Sequence, residues 1–522
     1  RKEWLRAYDR DLYLDTTNRQ VSYADFLSKE MIHFSKYDND RSIPNIMDGL
    51  KTSQRKILYT GLKRKLTKEI KVAQFSGSVS EISCYHHGEA SLNGAIKCLC
   101  QDYVGSNNIN LFEPKGQFGT RLQGGQDAAS ERYIHTNLSA ITRHIFNEAD
   151  DAVLRYLDDD GIMVEPMYYL PVIPMVLVNG CKGIGTGFST EIQPYDPLKL
   201  CDYVESKLDE MEKKTDPMLP PELLPYYEGF LGTVTEVEKQ KYLLKGVYSI
   251  VSDKEVHITE LPVGIWTDDY KKYLETLLEA KTHLRDYKDM STDTRVDITL
   301  QFATGSIKLL TSKKSEFGCN KLEKYLKLYS TRTTTNMHLF NENDQLRKYE
   351  TPEAIIDDYM SRRLAGYSDR KKYQLDKLEA DVLLISDKAR FITGILEETI
   401  DLRRKKKDVV CAMLLNMKFA VINNDHEFKH LVRMPMDSVT EENVESLLKQ
   451  KDMREKELDM LKKVTCVQLW RKDIRAVREN YNLYKKCRIC KQSDVSCSES
   501  GNSKKITKIK KVKKIKKAKA NC

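Results

Sequence analysis

A tyrosine beside an arginine, Arg132-Tyr133, is the pair in this chain best suited to covalent nucleophilic chemistry. A phenol that attacks a phosphodiester stores the energy of the broken bond in a phosphotyrosyl link and releases a deoxyribose hydroxyl. Free tyrosine ionises near pH ~10, so about one part in a thousand is phenolate at neutral pH, a deficit of roughly 4 kcal/mol. A neighbouring guanidinium such as Arg132 can stabilise both the phenolate and a pentavalent phosphorane. Arg41 and Lys51 can do the same across a site, and His87 can donate to a phosphate oxygen or carry a proton. Composition alone singles out none of the 28 tyrosines. By itself His87 reads as a structural hydrogen-bonding histidine. His86 and His87 are sequence neighbours, point in different directions and form no metal pair.

Three other patterns invite chemistry. The run Gly180-Cys-Lys-Gly183-Ile184-Gly185-Thr-Gly187 has neither the GxxxxGK[ST] nor the GxGxxG template of a nucleotide loop. Such a run lets one backbone approach another closely, with Ile184 either held out as a wedge between base pairs or turned into the core. Asp158-Asp159-Asp160-Gly161 has the look of a magnesium-binding DxD but follows an amphipathic stretch and reads as an exposed turn. Cys487-Arg-Ile-Cys490 is a lone CxxC with no second pair at zinc spacing, and reads as two reduced cysteines in a basic tail. No metal ligands are assigned.

The elements that must carry these residues differ along the chain. The sequence has 522 residues with 86 Lys+Arg against 77 Asp+Glu, a formal charge of +9, and 40% hydrophobic residues. That suits roughly three or four domains with real cores and excludes a small secreted domain or a collagen-like fibre. The longest nearly apolar run, Tyr168 to Val178, is too short for a bilayer, so no membrane partner is expected. Twelve scattered cysteines suit a reducing compartment. Without an initial Met or a signal-like segment, the chain reads as a piece of something longer. Nine basic residues fall between Arg41 and Lys71 against two acids, on a segment whose Leu50, Ile57, Leu58 and Leu62 have helical spacing. Ten lysines and no acid follow from Lys504 to the end. A folded basic face plus a lysine tail favours a polyanion partner.

Five segments are expected: a lead-in linker and short helix (1–35); a helical basic unit with glycines at 116, 119, 124 and 125 (36–150); a mixed α/β region (151–350); a helical arm (351–485); and a basic tail (486–522). In the third, Val296, Ile298, Leu300 and Phe302 alternate as on a half-buried strand, and Pro217, Pro220, Pro221 and Pro225 mark a connection. In the fourth, Leu375, Leu378, Val382, Ile385, Ala389, Ile392 and Leu396 step by 3,4,3,4,3,4, a heptad seam, and a second long helix is expected over about 440–480. Between them lies a mixed stretch ending in Met434-Pro435-Met436. The pattern suits an antiparallel coiled-coil arm with a helical head, serving as an oligomer interface or an intramolecular hairpin.

Taken together, Arg41-Ser-Ile-Pro-Asn-Ile-Met-Asp48-Gly-Leu-Lys51-Thr-Ser-Gln54-Arg55-Lys56, Tyr85-His86-His87-Gly88-Glu89, Gly116-Gln-Phe-Gly119-Thr-Arg121, Ser130-Glu-Arg132-Tyr133-Ile134 and Pro174 to Gly187 resemble the DNA-gate module of eukaryotic-type (type IIA) DNA topoisomerase II. The resemblance covers roughly residues 1–485, and the short lysine tail is similar to that of a viral member. It implies an α+β multidomain fold: a winged-helix DNA gate, a mixed α/β tower and shoulder, and a long antiparallel coiled coil ending in a helical exit gate. It implies Tyr133 as the nucleophile, assisted by Arg132, Arg41 and His87, with Lys51, Gln54, Arg55, Lys56, His86 and Ile184 binding DNA. The implied product is a 5′-phosphotyrosyl double-strand break for strand passage by a homodimer on double-stranded DNA. Mg²⁺ would be held by a Toprim domain, and ATP used by an ATPase domain, both outside this chain, which alone would be inactive. The implied location is the nucleus or, for a viral member, the host cytoplasm. The alternative is a non-enzymatic basic coiled-coil protein that clamps DNA, with Tyr133 inert.

Overall fold

The computed structural model describes residues 1–17, 19–213, 219–402, 405–421, 425, 427–435 and 440–492, without the side chains of residues 441, 491 and 492. The lysine-rich stretch 504–522, Pro217, Met436, Cys497 and Cys522 lie outside the described residues.

The lead-in holds a short helix, α1 (Lys2–Arg6), and a longer helical run that begins at Tyr23, where the Ser22 hydroxyl accepts from the Asp25 amide. That run passes through a π-helical turn at Leu27–Met31 and ends as α2 (Ile32–Ser42). It therefore extends past residue 35 and carries Arg41 on its last turn. Three helices follow, α3 (Thr52–Lys63), α4 (Val72–Ser83) and α5 (Glu89–Cys100). They pack with a small antiparallel sheet of β1 (Ile70–Lys71), β2 (Phe112–Lys115) and β3 (His135–Leu138) in the order β1-β3-β2. On α3 the spacing works as the sequence implies, with Ile57, Leu58 and Leu62 all buried.

Two hairpins project from this module: β4 (Tyr156–Asp159) with β5 (Ile162–Pro166), and β6 (Cys181–Ile184) with β7 (Ser189–Ile192). After α6 (Pro197–Met211) come two further sheets. One pairs β8 (Thr233–Glu238), β9 (Lys241–Lys245) and β14 (Tyr329–Thr333). The other runs β10 (Val247–Ser252), β11 (Glu255–Glu260), β13 (Ile298–Phe302), β12 (Leu284–Asp289) and is covered by α7 (Thr267–Glu279). Val256, Ile258, Ile298, Leu300 and Phe302 turn inward there and form a core of their own with Tyr270 and Leu274. A last hairpin, β15 (Met337–Phe340) with β16 (Leu346–Tyr349), returns the chain to the first module. The principal core joins residues from 46–208, 337–367 and 470–481, so burial runs across residues 150 and 350, where composition divides the chain.

The arm is α8 (Pro352–Leu396), 45 residues long, against α10 (Glu441–Lys463), with α9 (Lys407–Asn416) between. Its helices are antiparallel. Lys462 meets Glu379 at 2.9 Å and Lys371 donates to the Val464 carbonyl at 2.8 Å, while Leu448 and Lys451 lie beside Ser386 and Thr393. The seam is unevenly covered: Ala389 and Ile392 are buried, Leu375, Leu378, Val382 and Ile385 are half-buried and Leu396 is exposed. The tip has a core of Phe391, Val410, Leu414, Phe419 and Leu431.

The second long helix expected over 440–480 is two helices. α11 (Cys466–Gln492) starts afresh because the Thr465 hydroxyl accepts from the Gln468 amide and the Gln468 side chain accepts from the Thr465 amide, a reciprocal cap. The CxxC thus lies on the last turns of α11. Cys487 is a free thiol there. Where α8 leaves the first module, Arg363 pairs with Asp150 at 2.8 Å and Arg370 with Asp473 at 2.7 Å, all four buried. Tyr367 donates to Asp473 and lies under the Arg363 guanidinium. Such a buried cluster of paired charges is costly to break, about 3–5 kcal/mol per lost partner.

Candidate nucleic-acid cleavage site

Tyr133 is 71% exposed on a turn closed by its own amide to the Ser130 carbonyl. Ile134, buried behind it, anchors the turn to the start of β3. The turn is gripped by the N-terminus of α4, whose Val72 and Ala73 amides donate to the Ile134 and Glu131 carbonyls. These amides would otherwise be orphans, and the positive end of the helix dipole sits beside the tyrosine turn. Arg132 is exposed and holds its guanidinium 5.8 Å from the centre of the Tyr133 ring. These two residues form one cluster.

A second cluster lies at the other end of α4. That helix ends at Cys84 in a left-handed conformation (φ 49°), and the chain turns through Tyr85, His86 and His87 into α5. The Tyr37 hydroxyl on α2 is 2.6 Å from His87 Nε2, and the Tyr85 ring meets His87 edge-on. Burial, then the charges of Arg41, His86 and Lys56, hold the His87 pKa below the ordinary value. His87 is therefore neutral at pH 7, able to accept a proton or donate one N–H. Arg41 sits one helical turn beyond Tyr37, exposed and without a carboxylate partner among the described residues. The structure thus brings Arg41 and His87 together, and Arg132 and Tyr133 together. α4, 12 residues or about 18 Å long, lies between the two clusters.

The glycine run forms the β6–β7 hairpin, and Ile184 at its tip is 75% exposed, which excludes the core reading. The glycines on either side of Ile184 are needed where the hairpin meets α2. A Cβ on Gly183 would lie 1.9 Å from the Ser42 carbonyl oxygen, and one on Gly185 2.3 Å from Asn39 Oδ1. Asn39 donates to the Thr186 carbonyl, Thr186 donates to Asp38, and Lys51 Nζ donates to the Lys182 carbonyl at 2.9 Å. The last turn of α2 therefore carries Arg41 and seats the Ile184 hairpin as one piece. Asp38, Asn39 and Tyr37 escaped the sequence reading. Their signal was position, within one turn of Arg41 on the same helix.

Other DNA-contact candidates have partners within the chain. Arg55 is buried, its Nε and Nη2 donating to the two oxygens of Asp48 at 2.7 and 3.0 Å, so it fixes the loop before α3 and does not face solvent. Asp48 also accepts from the Leu50 and Tyr169 amides. Lys56 Nζ is held by Glu165 at 2.9 Å and by the Ser83 carbonyl. Gln54 accepts from the Lys51 amide and closes the first turn of α3. His86 Nε2 is 3.2 Å from Asp159. The acidic run is the β4–β5 turn, with Asp160 and Gly161 at positive φ and the Gly161 amide donating to Asp158. Among the described residues, no group of three or more His, Cys, Asp or Glu is placed to hold a metal ion. None of their helices is long and apolar enough to cross a membrane. The glycine-rich loop at 116–125 is a junction, since Arg121 pairs with buried Glu260 and Gly124 lies against Trp266.

Comparison with known proteins places this geometry. The family model for the DNA gyrase/topoisomerase IV A polypeptide matches residues 41–475, and one described as the C-terminal associated domain of TOPRIM matches residues 1–39. DNA topoisomerase 2 of Plasmodium falciparum is 39% identical over 514 residues, covering 92% of this chain and 36% of that protein. DNA topoisomerase 2-beta of Homo sapiens is 37% identical over 552 residues, covering 96% and 33%. The chain spans about a third of the length of these curated relatives. The crystal structure of the Plasmodium falciparum topoisomerase II DNA-binding, cleavage and re-ligation domain superposes with a TM-score of 0.83 at 38% identity, over 94% of this chain and 68% of that one.

Proposed function

Because the chain belongs to the DNA gyrase/topoisomerase IV family, we propose that it is the DNA-binding, cleaving and rejoining part of a type IIA topoisomerase. The observation that carries the proposal is Tyr133, exposed beside Arg132 on a turn held by the N-terminus of α4. In the proposed step the Tyr133 oxygen attacks a backbone phosphorus. The phosphorus–oxygen bond to the 3′ carbon breaks, and the 5′ phosphate stays on the tyrosine. Arg132 stabilises the negative charge gathering on the phosphate oxygens, while Arg41 and neutral His87, at the far end of α4, hold a phosphate further along or serve the tyrosine of the second chain of a dimer. Rejoining is the reverse.

The three helices and the sheet β1-β3-β2 would be a winged-helix gate, the sheets of 233–333 its tower, and α8 with α10 a coiled-coil arm ending in an exit gate. One tyrosine per chain and two strands to cut imply a two-fold dimer. Ile184 would enter the minor groove as a wedge that kinks the duplex. We assign the metal to a Toprim portion, which the match of residues 1–39 to the C-terminal associated domain of TOPRIM supports, and ATP to an ATPase portion, of a longer protein. The lysine stretch 504–522 would add salt-dependent affinity.

The test is a denaturing gel after trapping cleavage with the longer enzyme. Tyr133→Phe, which removes one oxygen from an exposed ring, should keep folding and DNA binding and abolish covalent adducts. Adducts at the unsubstituted level would assign the nucleophile elsewhere. Absence of adducts from the unsubstituted enzyme would favour the DNA-clamp alternative.

A further inference from the structure

The His87 ring is held between two tyrosines. The Tyr37 hydroxyl, on α2, lies 2.6 Å from its Nε2, and the Tyr85 ring meets it edge-on with 5.4 Å between centroids. Arg41 follows Tyr37 by four residues on α2, so the two leave the same face of that helix. Burial, then the charges of Arg41, His86 and Lys56, oppose protonation of the ring and keep it neutral.

The helix is fixed where Tyr37 leaves it. Asp38 accepts from the Thr186 hydroxyl, Asn39 donates to the Thr186 carbonyl, and the Thr52 hydroxyl donates to the Asp40 carbonyl. A rigid element therefore delivers the Tyr37 hydroxyl to the ring.

A neutral imidazole has one N–H and one bare nitrogen, and the partner of one nitrogen decides which of the two carries the proton. Of these two groups the phenol O–H is the more acidic and the bare ring nitrogen the more basic. The contact is thus an O–H donated by Tyr37 to a bare Nε2, which leaves the His87 proton on Nδ1. That nitrogen has no partner among the described residues and is not shut off from solvent. With Nε2 occupied, the ring has a donor to offer and no free acceptor.

We propose that Tyr37 is a positioning residue whose hydroxyl holds His87 in the Nδ1–H tautomer, so that His87 serves as a hydrogen-bond donor to a DNA phosphate and not as a proton acceptor. The role toward DNA rests on the reading of the chain as the cleaving part of a topoisomerase; the tautomer does not.

The test is the nitrogen spectrum of the full chain, isotope-labelled at its histidine ring nitrogens, sedimented and recorded in the solid state at neutral pH. His87 is identified by the signal lost in His87→Gln. It should be a single tautomer protonated at Nδ1, and a short DNA duplex should shift that signal. Tyr37→Phe keeps the ring of a half-exposed residue and should lose the Nδ1–H tautomer. In the longer enzyme the same substitution should slow adduct formation by about tenfold, the worth of one well-placed hydrogen bond. An Nε2–H tautomer in the unsubstituted chain overturns the proposal. So does an Nδ1–H signal that neither Tyr37→Phe nor duplex alters, or adduct formation in Tyr37→Phe at the unsubstituted rate. Should Tyr37→Phe fail to fold, the tautomer of the unsubstituted chain and its response to duplex decide. The nucleophile reading fails separately: adducts surviving in Tyr133→Phe would move the nucleophile and leave the tautomer as it is.

Discussion

The two hairpins that project from the first module have opposite chemistry. β4–β5 ends in Asp158-Asp159-Asp160-Gly161, a tight turn with open space around Gly161. β6–β7 ends in exposed Ile184, and the glycines flanking it are wedged against the last turn of α2, where no side chain fits on Gly183. In the first, glycine serves the turn itself. In the second, glycine serves a contact between two backbones. The same residue type therefore marks a free tip in one place and a fixed seat in the other. Only the second can hold a side chain rigidly against a load such as a stacked base step.

The comparison breaks most easily at the seat. Gly183→Ala places a methyl 1.9 Å from the Ser42 carbonyl, and should cost about 3 kcal/mol in denaturant unfolding and disturb DNA bending as well. Gly161→Ala meets no neighbouring atom and should cost about 1 kcal/mol, all of it from the positive φ. If the two substitutions cost the same, the distinction between seat and tip fails. Ile184→Ala should leave stability within about 0.5 kcal/mol. It should reduce bending of the gate duplex, read by energy transfer between its ends, more than it reduces affinity, which rests on phosphate contacts. Unchanged bending would count against the wedge. Lys51→Met removes the bond to the Lys182 carbonyl and should cost about 1 kcal/mol, with a smaller loss of bending than Ile184→Ala. Asp159→Asn should be the mildest, less than about 0.5 kcal/mol, since its partner His86 is exposed. A larger effect would mean that the acidic hairpin, too, is a positioned element.

The segments around Arg41, His87, Tyr133 and Ile184 were singled out by their combined order and spacing, which resemble a known module, and not by composition. What Arg55 and Lys56 meet was not legible. In a basic helix the sequence cannot say which cations meet an acid, and Glu165, the partner of Lys56, is 109 residues away. The break at Thr465 was masked because Leu458, Leu461, Leu469 and Ile474 keep a helical rhythm through it. The cue was Thr465 with Gln468, a cap three residues apart that is common enough to overlook. Tyr37 was invisible for the opposite reason: it reads as one more of 28 tyrosines, and only its contact with His87 makes it unusual.

The paired charges at the root of the arm have a mechanical side. Asp150, Arg363, Arg370 and Asp473 clamp α8 to the gate module and to α11 within its first five turns or so. Beyond Arg370 the helix runs on for 26 residues, roughly 39 Å of rigid rod. A rod fixed at its root behaves as a cantilever: a rotation of the clamp by about 5° swings the far end by ~3 Å. Any rotation of the first module would thus be amplified at the tip, and force applied at the tip would return to Asp150 with long leverage. The clamp is built from charges that cannot be released singly without leaving another buried and unpaired, which ties the start of the arm to two elements at once.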